Sequence, residues 1–272
     1  ILGGRLSTPA AVRMKPMRTA PLLRSSLAGI ARRGSCWLLL AGGLVFPWLA
    51  PLVTPWNEQP VILQPARAQA AWVYAWLALF SWIPFQAAVL GKRLRADGQL
   101  EFFQSLGTRA VALWWQAGAA VAVWAVLLAL VAALVCVGPC LPRAAADVWP
   151  WIALVLQYVT LFAAAAIPLV MLTLAAGTRF GEVAGFTGAA GWLFLGLIAA
   201  PLSEPVFAGS DSPWMRGVWL AYPHTHLADL TPRLVFKMGP LAPASFGGSL
   251  LVLLLQGSAM LLLGKCLFRT RL

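Results

Sequence analysis

A chain of 272 residues that is 61% hydrophobic, only 10% charged and yet formally +12 has the composition of a polytopic membrane protein, not of a soluble enzyme or a disordered basic tail. Long runs of interleaved basic and aromatic residues are absent, so the charge does not describe a nucleic-acid surface. Six membrane spans with their connections take up nearly all of the length, which leaves no ATPase, kinase or DNA-binding module within these 272 residues.

The first 35 residues form a basic segment carrying Arg5, Arg13, Lys15, Arg18, Arg24, Arg32 and Arg33, with Met14 and Met17 as natural starts. Within it Leu23, Leu27 and Ile30 fall at i, i+4 and i+7, which predicts an amphipathic interfacial helix over Pro21–Arg33 with its arginines at lipid headgroups. The basic leader and the Ala-x-Ala at Ala68–Ala70 suggest a signal peptide, but too many polar and proline-rich residues separate that site from the apolar stretch.

Residues 36–272 form the six-span domain. Cys36–Val53 is free of charged residues and histidine, and Gly42, Gly43, Pro47 and Pro51 predict a kink toward its far end. Thr54–Gln69, with Pro55, Pro60 and Pro65, reads as an irregular outer loop. Four further segments, Ala70–Leu90, Ala110–Val137, Val148–Ala176 and Val183–Leu202, each run 20 residues or more without charge or histidine, enough helix to cross a hydrocarbon layer of about 30 Å. The third and fourth spans exceed that need and must tilt or protrude. Pro84 and Pro168 predict kinks. Cys136 and Cys140, around Val-Gly-Pro, can pair or pack as small apolar side chains. Ser203–Phe246 is half apolar and predicts one or two short helices folded against the outer bundle or dipping into the membrane. Gly247–Leu263 is the sixth span. Small residues crowd the helices and allow close packing.

If the N-terminus is cytoplasmic, 15 Lys and Arg lie inside and five (Arg67, Arg143, Arg216, Arg233 and Lys237) outside. That bias predicts N-in and C-in, with the net charge drawn to anionic lipid. Gln86, Gln116, Gln157 and Gln256 are the strongest polar groups in the six cores. No acid is embedded among them, which argues against an ion-coupled carrier.

Between the second and third spans, the stretch Lys92 to Arg109 places Asp97, Glu101, Gln104, Ser105 and Thr108 on one side of a helical wheel. Leu100, Phe102, Phe103, Leu106 and Gly107 fall on the other. This predicts a short amphipathic helix on the inner face, its acidic stripe toward the cytoplasm.

Here the sequence resembles the membrane subunits of type-2 ABC transporters, the export permeases. Gly98-Gln-Leu-Glu101 and Leu106-Gly-Thr-Arg109 follow that family's pattern before the third span, with Gln99 where Thr is common and Gly107 where Pro is common. The ending Phe-Arg-Thr-Arg-Leu at 268–272 is similar to the family's Phe-Arg-Arg tail. The resemblance implies a coupling helix at about Asp97–Leu106 that docks on a separate ABC ATP-binding subunit through Asp97, Gly98, Leu100, Glu101, Gln104, Leu106, Thr108 and Arg109. It implies an all-α permease in the inner (plasma) membrane, paired with itself or with a second permease, with no cofactor or metal of its own and no catalytic residue.

A competing constellation is His224, His226 and Asp229, with Glu204 some twenty residues earlier. His and carboxylate together can hold zinc, which would make the chain a membrane-embedded metalloenzyme. A non-transporting assembly factor is the third reading.

Overall fold

The computed structural model describes residues 20–53, 60–207 and 212–268. Arg5, Arg13, Lys15, Arg18, Arg269 and Arg271, counted above for orientation, lie outside the described residues. So does all but Phe268 of the Phe-Arg-Thr-Arg-Leu ending.

Among the described residues, every regular element is helical. Helix α1 (Pro21–Ala31) leads into α2 (Ser35–Val53), then α3 (Pro60–Phe80), α4 (Trp82–Ala96), the short α5 (Gln99–Ser105), α6 (Ala110–Val137) and α7 (Ala145–Phe180). Helix α8 (Glu182–Phe194) continues through a π-turn (Leu195–Ala199) into α9 (Ala200–Phe207). The chain then forms α10 (Pro213–Ala221), a 3₁₀ turn (Thr225–Ala228), α11 (Thr231–Val235) and α12 (Pro243–Leu267).

Among the described residues, five helices are long and apolar enough to cross a membrane: Leu63–Ala96, Ala110–Val137, Ala145–Phe180, Glu182–Phe207 and Pro243–Leu267, with the shorter apolar helix Ser35–Leu49 beside them. The chain is an all-α, multi-pass membrane protein of about six spans. Helix α7, at 36 residues, is about 54 Å long and exceeds a bilayer core of about 30 Å.

Helix α7 is the centre of the bundle, packed against α4, α6, α8 and α12. Glycine lets three of these approach closely. A Cβ on Gly177 would lie 2.5 Å from the Ala88 carbonyl oxygen, one on Gly91 would meet the Leu174 carbonyl, and one on Gly185 would lie 3.1 Å from the Gly177 nitrogen. Backbones of α4, α7 and α8 therefore touch directly, as packing without a hydrophobic driving force requires.

Two expectations need correcting, and the kink expected at Pro84 is found. The outer loop Thr54–Gln69 is helical from Pro60 onward. Proline is tolerated in the first turn, and Ala68, Trp72, Ala75 and Leu79 then form a buried stripe, all at 0% exposure. Arg67 accordingly sits on a helix, its guanidinium 4.3 Å over the Trp48 ring. The second span is broken at Ser81, between α3 and α4. Pro84 has no N–H for the Phe80 carbonyl and its ring crowds that oxygen. Finally, the buried stripe of α1 is Leu22, Ser26 and Ile30, one residue away from the Leu23–Leu27 register. The cause is the Leu22 backbone N–H, which donates to Gln116 Oε1 of α6 at 3.2 Å and fixes the helix rotation.

Cys136 and Cys140 are both buried free thiols. Burial pushes the Cys140 thiol up to about 11, against the opposing pull of Arg67.

Overpacking a tight backbone crossing costs about 1–3 kcal/mol. Gly177→Ala is expected to destabilise the detergent-solubilised protein by that amount, read as a lowered melting temperature. Gly188→Ala, with nothing within 4 Å of its added Cβ, is expected to leave it unchanged or slightly raised.

Candidate functional site

Two places carry chemistry beyond packing, one at each end of the bundle. The first is α5. Gly98 precedes it with φ 67° and Gly107 follows it with φ 85°, left-handed values that side-chain-bearing residues rarely adopt. These two turns reverse the chain on either side of seven residues, so α5 crosses the end of the bundle between α4 and α6.

Leu100, at 0% exposure, is the anchor, and Phe103 packs half-buried against the core. The sequence wheel placed Phe102 and Leu106 on the same inward side, but the structure turns both outward, at 60% and 44% exposure. A seven-residue helix fixed at both ends seats the i, i+3 pair Leu100 and Phe103 on the bundle. The opposite surface is Glu101, Phe102, Ser105 and Leu106, all exposed. It is an apolar patch with a carboxylate, not the acidic stripe expected. Of the other residues expected to dock a partner, Asp97 and Arg109 are exposed, while Gly98, Gln104 and Thr108 are half-buried.

The connection from α5 into the bundle is polar. Arg95 Nη1 donates to the Thr178 carbonyl at 2.6 Å, in the last turn of α7, where unpaired carbonyls and the helix dipole favour a cation. Lys92 Nζ pairs with Glu182 Oε1 at 2.9 Å, at the start of α8. Helix α4 is thereby tied to the α7–α8 junction just before α5 begins.

The second place is the segment between α9 and α12. Amphipathic α10 has no buried residue, but the chain after it descends into the bundle. Gln256, the fourteenth residue of α12, lies about 20 Å from that helix's start. It donates to the Tyr222 carbonyl at 2.6 Å and accepts from the His224 backbone N–H at 3.1 Å. The segment therefore turns midway along α12, and Pro223, His224 and Thr225 are buried there.

The π-turn receives it. A Cβ on Gly196 would meet the Thr225 hydroxyl, and the Gly196 carbonyl faces His226 Nδ1 at 3.2 Å. Climbing back out, Asp229 Oδ1 accepts from the Tyr158 hydroxyl at 2.5 Å and from the Thr231 N–H at 3.0 Å. Trp76 Nε1 donates to Tyr158 Oη at 2.8 Å, and Trp72 stacks on the Tyr158 ring at 3.6 Å. The exit is clamped by Gln157, which donates to the Leu241 carbonyl at 3.0 Å and accepts its N–H at 2.8 Å.

This arrangement separates the proposed zinc ligands. The His224 and His226 rings are 5.6 Å apart, but Asp229 turns to Tyr158 instead. Among the described residues, no three His, Cys, Asp or Glu side chains group as a metal site. Asp229 instead lines an apolar groove of about 550 Å³ between α3 and the α8–π-turn span, with Trp76, Phe80, Leu197 and Thr231. The sequence reading missed this groove and missed that a carboxylate reaches into the bundle from outside the spans. The signals were present in Gly196 and in the unexplained glutamines of α7 and α12.

Gln256→Leu leaves two partly buried backbone groups without partners, each costing up to about 1–3 kcal/mol. Residues 222–231 are expected to lose hydrogen-exchange protection in that variant while α6 keeps its own. Equal protection would show that Gln256 does not hold the segment.

No family model and no curated protein matches this chain, and the reading of these two ends rests on their own geometry.

Proposed function

We propose that the chain is the permease subunit of an ATP-driven ABC-type export system, seated in the inner (plasma) membrane with N-in and C-in orientation. It forms the translocation path together with a second copy or a second permease, and a separate ATP-binding subunit docks on α5. The observation that carries this reading is α5 itself: a short helix held across the bundle end by two left-handed glycines, anchored by Leu100, presenting Phe102, Leu106 and Glu101 outward. A helix so placed has the form of a lever. Its neighbours Lys92 and Arg95 tie it to α8 and α7, and α7 runs from there to the Tyr158–Asp229 contact with the return segment.

The test is assembly. Charge-assisted hydrogen bonds are worth about 2 kcal/mol, so Glu101→Lys is expected to lower recovery of the co-purifying ATP-binding chain about thirtyfold. Phe102→Asp should act likewise, since Phe102 now belongs to the outward patch, whereas Phe103→Asp should unsettle α5 itself. Membrane insertion of all three should match wild type. Undiminished recovery and undiminished stimulated ATPase activity in Glu101→Lys would overturn the reading.

Orientation is checked by cysteine labelling of intact cells. Asp97→Cys is expected to resist an impermeant maleimide and Asp147→Cys to react with it; the reverse pattern inverts the topology.

One observation favours a second reading, a proton- or cation-coupled carrier: the Asp229 carboxylate faces the groove. Liposomes containing this chain alone separate the two. Gradient-driven flux lost in Asp229→Asn supports the carrier; no flux without the ATP-binding chain supports the permease.

A further inference from the structure

The cleft between α1 and α4, beside α5, is not used by the function proposed above, and its side chains are those of an anion site. It encloses about 230 Å³ and is lined by Ser25 and Ser26 of α1, Arg33 after it, Gln86 and Arg93 of α4, and Asp97. Ser26 is 6% exposed and its Oγ has no hydrogen-bond partner. A buried hydroxyl left so is destabilising unless something arrives to accept or donate.

The two arginines stand at the mouth, both exposed. Arg33 Nη1 donates to Gln86 Oε1 at 3.2 Å, which holds its guanidinium at the cleft wall. Burial, and then the like charge of Arg93, pull the Arg33 guanidinium below its ordinary value. Among the described residues, no carboxylate lies within 4.0 Å of either arginine. Asp97, on the rim, opposes an anion from one side but leaves the cleft with an excess of positive charge. Two uncompensated cations over an orphaned hydroxyl call for a group with several acceptor oxygens.

We propose that this cleft binds the phosphate of an anionic phospholipid headgroup, with Arg33 and Arg93 on its oxygens and Ser26 Oγ at the floor. A lipid is favoured over a soluble anion because the wall continues in apolar surface. Ile30 and Leu90 line the cleft, and Trp37 and Leu38, at 57% and 75% exposure, adjoin the Arg33 turn. Acyl chains lie against such a surface, and tryptophan marks the headgroup level.

Purified full-length protein is titrated with phosphatidylglycerol in detergent, and bound lipid is counted by native mass spectrometry. One phosphatidylglycerol is expected to be retained, with phosphatidylcholine not retained. Arg33→Gln and Arg93→Gln should each weaken retention about fivefold, the effect of one basic side chain at an anionic lipid surface. Arg32→Gln, on the same turn but outside the cleft, should leave it unchanged. Ser26→Ala should weaken retention yet raise the melting temperature of lipid-free protein, because it removes the orphaned hydroxyl. Equal weakening by Arg32→Gln, equal retention of phosphatidylcholine, or unchanged retention in Ser26→Ala overturns the site. Displacement of the lipid by millimolar inorganic phosphate would assign the cleft to a soluble anion and overturn the lipid assignment.

Discussion

Backbone polar groups inside a membrane bundle must find partners within the protein; three glutamines of the spans meet this constraint for segments that do not span, and a fourth, Gln86, holds a side chain. Gln116 takes the Leu22 N–H at the start of α1. Gln86 takes Arg33 in the turn after α1. Gln256 holds both Tyr222 and His224 where the return segment turns, and Gln157 closes a two-bond clamp on Leu241 where it leaves. Without these amides, irregular backbone between α9 and α12 would carry unpaired groups into the bundle.

Helix α7 joins the two ends. Its last turn receives Arg95 through the Thr178 carbonyl, and Tyr158, about 30 Å away along the helix, holds Asp229. Between them, Gly177 lets the α4 backbone rest on α7, while Pro168 packs 2.7 Å from where a Cβ on Gly257 would sit. Cores packed this closely shift between discrete arrangements instead of deforming smoothly. On the function proposed above, a displacement imposed on α5 would be passed to α7 and α8 through Arg95 and Lys92, and through Tyr158 to the return segment. The exposed Lys92–Glu182 pair contributes little stability in itself, and its role is to fix position.

The outward face of α5 and the α1–α4 cleft lie at the same end of the bundle, and α4 belongs to both. Arg93 lines the cleft, while Lys92 and Arg95, its neighbours, bind the α7–α8 junction. One face of α4 thus borders the cleft and another packs into the bundle.

Much of the fold was legible in the sequence. Charge-free runs located the spans because lipid admits few charges, and Pro84 announced the break in the second span because its missing N–H is a local property. The short helix after Gly98 was legible too, since glycine permits the turns that bound it. Its facing was not: a helical wheel divides residues by angle alone, and the bundle selected Leu100 and Phe103 while leaving Phe102 and Leu106 outside. The α1 register failed for the same reason, one hydrogen bond to Gln116 deciding the rotation. Nothing local in His224-Thr-His226 revealed that Asp229 would turn from the histidines to Tyr158, 71 residues away. The sequence by itself determined an all-α membrane protein and the place of its helices, because hydrophobicity and backbone chemistry act over a few residues. Only the tertiary structure decided what the four glutamines hold, which face α5 presents and where the return segment stops, because each depends on partners that folding alone brings within hydrogen-bonding distance.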